Sequence, residues 1–273
     1  MGGRAWRMAA QTLLGFKRRG VFIPYRHADA VPRPPDPAAT GYPAVERLFA
    51  RHEAAFCAML AAIESHAPAL GAMAGPAPGP RIAQSWFPRL DAGAAFALVK
   101  ARQPRRIIEV GSGHSTRFLA AGAAGFDCAI TCIDPAPRAA LPPGVTHRAA
   151  LLAPGDAALF AALEPGDIAF FDGSHLMLPH GDVDLMLNHI FPVLAPGVLV
   201  HVHDILLPDP YPAAWTWRGY AEQSALGGWL LGRTFRPVFA SHWAATRLAL
   251  PPAIAALPLV AGAMETSLWM ERL

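Results

Sequence analysis

Between residues 105 and 204 the chain carries five short apolar runs: RRIIEV (105–110), CAITCID (128–134), GVTHRAA (144–150), DIAFFDG (167–173) and GVLVHVHD (197–204). A strand with one wet face alternates apolar and polar residues, whereas continuous hydrophobicity requires cover on both faces. Helical segments between the runs supply that cover, which predicts parallel β-α-β units and a doubly wound α/β sheet. Two more strands are expected at 236–243 (RPVFASHW) and 266–273 (TSLWMERL), after a helical stretch at 214–231.

Upstream, Val45, Leu48, Phe49, Phe56, Met59, Leu60 and Ile63 recur with the spacing of one helical face, predicting a helix from Tyr42 to Ala67. The glycines and prolines of GAMAGPAPGP (71–80) end it and read as a linker. A further helix is expected from Asp91, whose carboxylate suits an N-cap. The organisation is then an N-terminal arm, helix and linker over 1–80, followed by an α/β domain over 81–273.

Composition bounds the function. With 273 residues, 53% hydrophobic and 16% charged, the chain can bury a full core. Its 23 basic and 20 acidic residues give only +3, so a nucleic-acid partner is not expected. Arg4, Arg7, Lys17, Arg18, Arg19, Arg26 and Arg33 form a basic arm, read as solvated. The apolar stretch MAAQTLLGF lacks a cleavage signal, and the uncharged segment 248–264 is broken by Pro251, Pro252 and Pro258, so neither a signal peptide nor a membrane span is expected. Cys57, Cys128 and Cys132 have no metal-ligand spacing, which points to buried thiols and the cytoplasm. Homo-oligomer formation is left open.

The first strand runs into EVGSGHST, where Gly111 and Gly113 start like a dinucleotide-binding turn but Thr116 stands in place of the third glycine. A pyrophosphate needs that glycine for close helix packing, so a ligand without a diphosphate fits better. This disfavours a nicotinamide-dependent oxidoreductase. Asp134 closes the next strand, where an acidic side chain can accept from ribose hydroxyls.

IIEVGSGHSTRFLA, TCIDPAPR, LEPGDIAFFDGSH, VLAPGVLVHVHDI and SLWMER, in that order, resemble the motifs of class I S-adenosylmethionine-dependent methyltransferases, in the bacterial branch with an E-V-G-S-G-x-S-T turn. The resemblance spans about residues 81–273. It implies a Rossmann-like sheet of seven strands with the last antiparallel, and S-adenosyl-L-methionine as cofactor. It implies that Glu109, Gly111 and Gly113 line the methionine moiety, that Ser112 and Ser115 add hydrogen bonds, and that Asp134 holds the ribose. Asp172, Gly173 and Ser174 would border the adenine or the reacting methyl group. His114 departs from the pattern and reads as a surface or loop histidine.

Methyl transfer from a sulfonium needs in-line alignment and an acceptor lone pair, so a hydroxyl acceptor must lose a proton. Two devices are open. His175 and His203, at strand ends, suit proton removal, while Asp172 and Asp204 can hold a divalent cation such as Mg that lowers the acceptor's pKa. The second device is similar to that of catechol-type and macrolide-sugar O-methyltransferases, although His203 replaces one oxygen ligand. His201 reads as a buried, hydrogen-bonded histidine. Trp86, Trp215, Trp217, Tyr220 and Glu222 are candidates for an aromatic acceptor pocket with one polar anchor, though core filling is the commoner role of such aromatics. The leading reading is O-methylation of a small-molecule or glycosyl acceptor. The alternative is a non-catalytic nucleoside-binding or assembly subunit, and an open acceptor pocket faced by Asp172, His175 and His203 would argue against it.

Overall fold

The structure is a computed structural model that describes residues 3–30 and 41–273; Arg33 of the basic arm lies outside the described residues. All five runs of the central region form parallel strands: β1 (Arg106–Val110), β2 (Ala129–Ile133), β3 (Thr146–Arg148), β4 (Ile168–Phe171) and β5 (Leu199–Val202). With β6 (Phe235–Ala240) and β7 (Leu268–Arg272) they make one sheet in the order β3-β2-β1-β4-β5-β7-β6. The last strand pairs antiparallel to both β5 and β6. Strands β4 and β5 are buried at every position, as continuous hydrophobicity requires. The strand order reverses at β1 and β4, so their carboxyl ends open the crevice in which such sheets bind ligands.

Several boundaries differ from the sequence expectation. The helix expected over 42–67 is three helices, Pro43–Arg51, Glu53–Ser65 and Ala67–Gly71, interrupted at His52 and His66. The strand expected over 236–243 stops at Ala240, and Ser241–Arg247 is helical. The stretch 214–231 divides into a 3-10 turn, Ala213–Arg218, a left-handed Gly219, and the helix Glu222–Leu231.

Asp91 is not an N-cap. The helix begins at Arg89 after Pro88, and Asp91 is fully buried in its first turn. Its carboxylate accepts from the backbone amides of Thr266 and Ser267 and the hydroxyl of Ser241. It thereby ties the helix to the segment entering β7. The N-terminal helices share the core of the sheet: Phe56 packs edge-on against Phe239 of β6 and Trp243, and Gly93 lets Ile63 lie close on the helix Arg89–Arg102. Among the described residues no helix is long and apolar enough to cross a membrane.

Candidate active site

The turn after β1 is built from below. Glu109 is fully buried, and its carboxylate accepts from Ser115 Oγ at 2.5 Å, Thr116 Oγ1 at 2.6 Å and Cys132 Sγ at 3.1 Å. Thr116 Oγ1 also accepts the Gly113 amide at 2.9 Å. The residue that breaks the glycine pattern therefore caps the helix His114–Ala123 and joins it to the strand. Burial pushes the Glu109 carboxyl up to about 7, against the pull of its three donors and with help from the charge of Asp172. Glu109 thus holds the turn in shape from below. Gly111 has φ +82°, and a Cβ there would run into the carbonyl oxygen of Asp172, so the turn and the end of β4 touch through backbone.

A cavity of about 390 Å³ opens over this turn. Ser112, Gly113, His114 and Ser115 line one wall, Asp172, His175, His203 and Asp204 the floor, and Trp86, Trp215 and Tyr220 the sides. Of the expected site residues, Gly173 and Ser174 face away: Ser174 donates to Asp182, whose carboxylate also fills the space beside Gly173. Trp217 is 45% exposed and off the cavity wall. Glu222 is buried behind His175 and is not an acceptor anchor. Asp134, 9% exposed, accepts from Ser112 Oγ and the Ala136 amide, both at 2.8 Å. The first of these bonds joins it to Ser112 of the cavity wall.

The floor is a four-residue knot. His175 Nε2 lies 3.3 Å from Asp172 Oδ1 and 3.4 Å from Asp204 Oδ2, while its Nδ1 is 2.8 Å from Glu222 Oε2. His203 Nδ1 lies 3.5 Å from Asp172 Oδ1, and its Nε2 is 3.4 Å from Asp91 Oδ2. His175 (φ 60°) and Asp204 (φ 55°) are both left-handed, a strained backbone that recurs at functional sites. Burial alone would lower both histidines, but the surrounding carboxylates outweigh it and hold them well above the ordinary histidine value: Asp172, Glu222 and Asp204 for His175, and Asp172, Asp91 and Asp204 for His203. Burial would conversely raise Asp172, and the two histidines drive it well below the usual carboxylate range.

His201 stacks on Phe170 at 3.7 Å between ring centroids and bonds Ser267 Oγ at 2.9 Å, as a core histidine does. Burial, followed by the charge of His203, drives it well below the ordinary value. His114 is part of the cavity wall rather than a surface residue, and among the described residues its buried Nδ1 has no partner. Asp172 and Asp204 do converge, but on histidine nitrogens. Among the described residues no group of three or more His, Cys, Asp or Glu side chains is arranged to hold a metal ion.

Residues 108–205, which span the turn, β2, β4 and β5, match a family model described as a methyltransferase domain. Over these residues the chain is similar to that family. No curated protein matches the chain. Among solved structures, the SAH-bound Podospora anserina methyltransferase PaMTH1 is similar at 14% identity, covering 93% of this chain and 99% of that one, with a TM-score of 0.44. The O-methyltransferase from Bacillus cereus in complex with SAH is similar at 15% identity, covering 79% and 90%, with a TM-score of 0.42. Cofactor-bound Rv0187 from MTB is similar at 20% identity, covering 67% and 80%, with a TM-score of 0.39.

Residues that sequence reasoning missed complete the domain's cavity. Asp91 and Thr266, 112 and 63 residues away in sequence, contact His203. Arg138 lies over Trp86 at 4.9 Å, and Arg218 over Trp215 at 4.2 Å. Arg138 stands four residues after Asp134 in the motif TCIDPAPR, which was a signal for it; nothing in the pattern marks Arg218.

Proposed function

We propose that the chain is an S-adenosylmethionine-dependent methyltransferase that methylates a hydroxyl of a small-molecule acceptor. The observation that carries this reading is one cavity bounded by both the glycine turn and the His175–His203–Asp172–Asp204 knot. The turn fits the donor on structural grounds. Gly113 presents no side chain to the cavity, and the nearest atom to a Cβ there is 3.7 Å away, on Arg138. His114 lines the same cavity, and among the described residues its buried Nδ1 has no hydrogen-bond partner. When bound, the donor supplies an electrophilic methyl carbon on a sulfonium.

The residues that act on the acceptor are those of the floor. Glu222 accepts from the His175 ring at Nδ1 and orients it, so that Nε2, beside Asp172 and Asp204, takes the acceptor's proton once it has lost its own. His203 holds Asp172 and Asp204 in place beside it. A cavity lined by Asp172, His175 and His203 favours an enzyme over a nucleoside-binding subunit. The divalent-cation alternative has two converging carboxylates and no third ligand among the described residues, so no step is derived through it.

A base held protonated by its neighbours becomes active only as pH rises. Because His175 is raised above 6.5 in the free protein, kcat/KM is expected to climb with pH through an apparent pKa above that value. The limb in kcat should lie lower, because a cationic ligand beside the knot repels the imidazolium proton. Initial rates from pH 6 to 10 check this; a profile flat over that range would remove His175 as the base.

Asp134→Ala is expected to weaken donor binding by about 1–3 kcal/mol, through loss of the Ser112 contact and of an acceptor for ribose hydroxyls, as read by calorimetry. The reading as a whole is tested by incubating the protein with methyl-labelled donor and an extract of the producing cell, then identifying the labelled product by mass. Absence of any labelled small molecule, with donor binding intact, would favour the non-catalytic alternative.

A further inference from the structure

The cavity's carboxylates are spoken for, and its guanidinium groups are not. Asp172, Asp204, Glu222 and Asp91 each bond a histidine of the knot. Arg218 and Arg138 line the same cavity, and among the described residues their recorded contacts are aromatic: Arg218 Cζ lies 4.2 Å from the Trp215 ring centroid and 5.4 Å from that of Tyr220, and Arg138 Cζ lies 4.9 Å from that of Trp86. An arginine stacked on an aromatic face keeps the edge of its guanidinium fork free for bidentate bonds to a planar anion.

The two arginines sit at different ends. Arg138 is against the glycine turn, its Cβ 3.7 Å from where a Gly113 Cβ would be. Arg218 is beside the proton-accepting end, since Tyr220, on which it rests, has its ring centroid 4.7 Å from that of His175. One aromatic ring therefore separates the free guanidinium from the base, a span suited to a compact acceptor with a hydroxyl at one end and an anion at the other.

Resting on the methyltransferase reading, we infer that the acceptor is an anionic hydroxy compound whose carboxylate or phosphate is held by Arg218. The left-handed Gly219 and the 3-10 turn Ala213–Arg218 present Trp215, Arg218 and Tyr220 together on that side of the cavity. Arg138 is left to the donor's end. The anion, rather than the apolar body of the acceptor, then fixes which hydroxyl reaches His175.

The test is calorimetric titration of the 273-residue chain, with and without S-adenosylhomocysteine, using benzoate, phenyl phosphate and neutral benzamide. The inference predicts that one of the two anions binds at least tenfold tighter than benzamide, the stronger of them naming the anion. It also predicts that Arg218→Gln abolishes this preference while Arg138→Gln leaves it. Equal binding of anions and benzamide, an unchanged preference in Arg218→Gln, or its loss in Arg138→Gln alone would overturn it. Failure of S-adenosylhomocysteine to bind would count against the methyltransferase reading instead, and the titration of the unloaded protein would still decide whether Arg218 holds an anion. Thermal unfolding of both variants guards against loss of fold.

Discussion

His175→Gln is expected to lower kcat by about 10²- to 10⁴-fold, the usual contribution of a positioned general base, with donor binding unchanged. The argument rests on geometry. The imidazole is held at both ends, by Glu222 at 2.8 Å behind and by Asp172 and Asp204 in front, so its cavity-facing nitrogen is fixed before an acceptor arrives. A glutamine can bond Glu222 but cannot take up a proton. Glu222→Gln supplies the complementary observation: without the carboxylate that helps raise His175, the acid limb of kcat/KM should move to lower pH. A merely structural histidine would cost stability without shifting that limb. Single-turnover rates across pH, alongside unfolding curves, separate the two outcomes.

Gly111→Ala is expected to reduce the unfolding free energy by roughly 3–5 kcal/mol and to abolish donor binding. Placing an L residue at φ +82° costs about 1–2 kcal/mol on its own. The added methyl group would also strike the Asp172 carbonyl oxygen, which belongs to backbone at the end of β4 and has no rotamer with which to move aside. Relief requires parting β1 from β4, the strands whose carboxyl ends carry the glycine turn and the knot. Urea unfolding reads the stability, and a loss below about 1 kcal/mol would mean that the turn is less constrained than its geometry implies.

Much of the architecture was legible because its signals are local. Five apolar runs identified the parallel strands, and β4 and β5 are buried throughout as continuous hydrophobicity demands, whereas β3, an edge strand of Thr146, His147 and Arg148, is exposed at every position and departs from the expected two-sided cover. The strand-end residues Asp172, His175, His203 and Asp204 were legible for the same reason, since knowing where a strand stops tells which side chains reach the crevice. What was not legible depends on contacts between distant segments. Asp91 looks like a helix cap by type and position, and only the fold brings Ser241, Thr266 and Ser267 to its carboxylate.

The motif marks Glu109 but not its partners: its carboxylate accepts from Ser115, Thr116 and Cys132, the last of them from the neighbouring strand. Glu222 was expected in the cavity, and the break at Gly219 turns it behind His175 instead. The interruptions at His52 and His66 left the apolar stripe intact in sequence because all three helices bury the same face against one core.

Calorimetric titration of the purified protein with S-adenosylhomocysteine tests the central claim most directly. Saturable one-to-one binding with a Kd on the order of 1–100 µM, weakened in Asp134→Ala, is the predicted result. A correctly folded protein that gives no binding heat and no shift in its unfolding midpoint at millimolar ligand would contradict it.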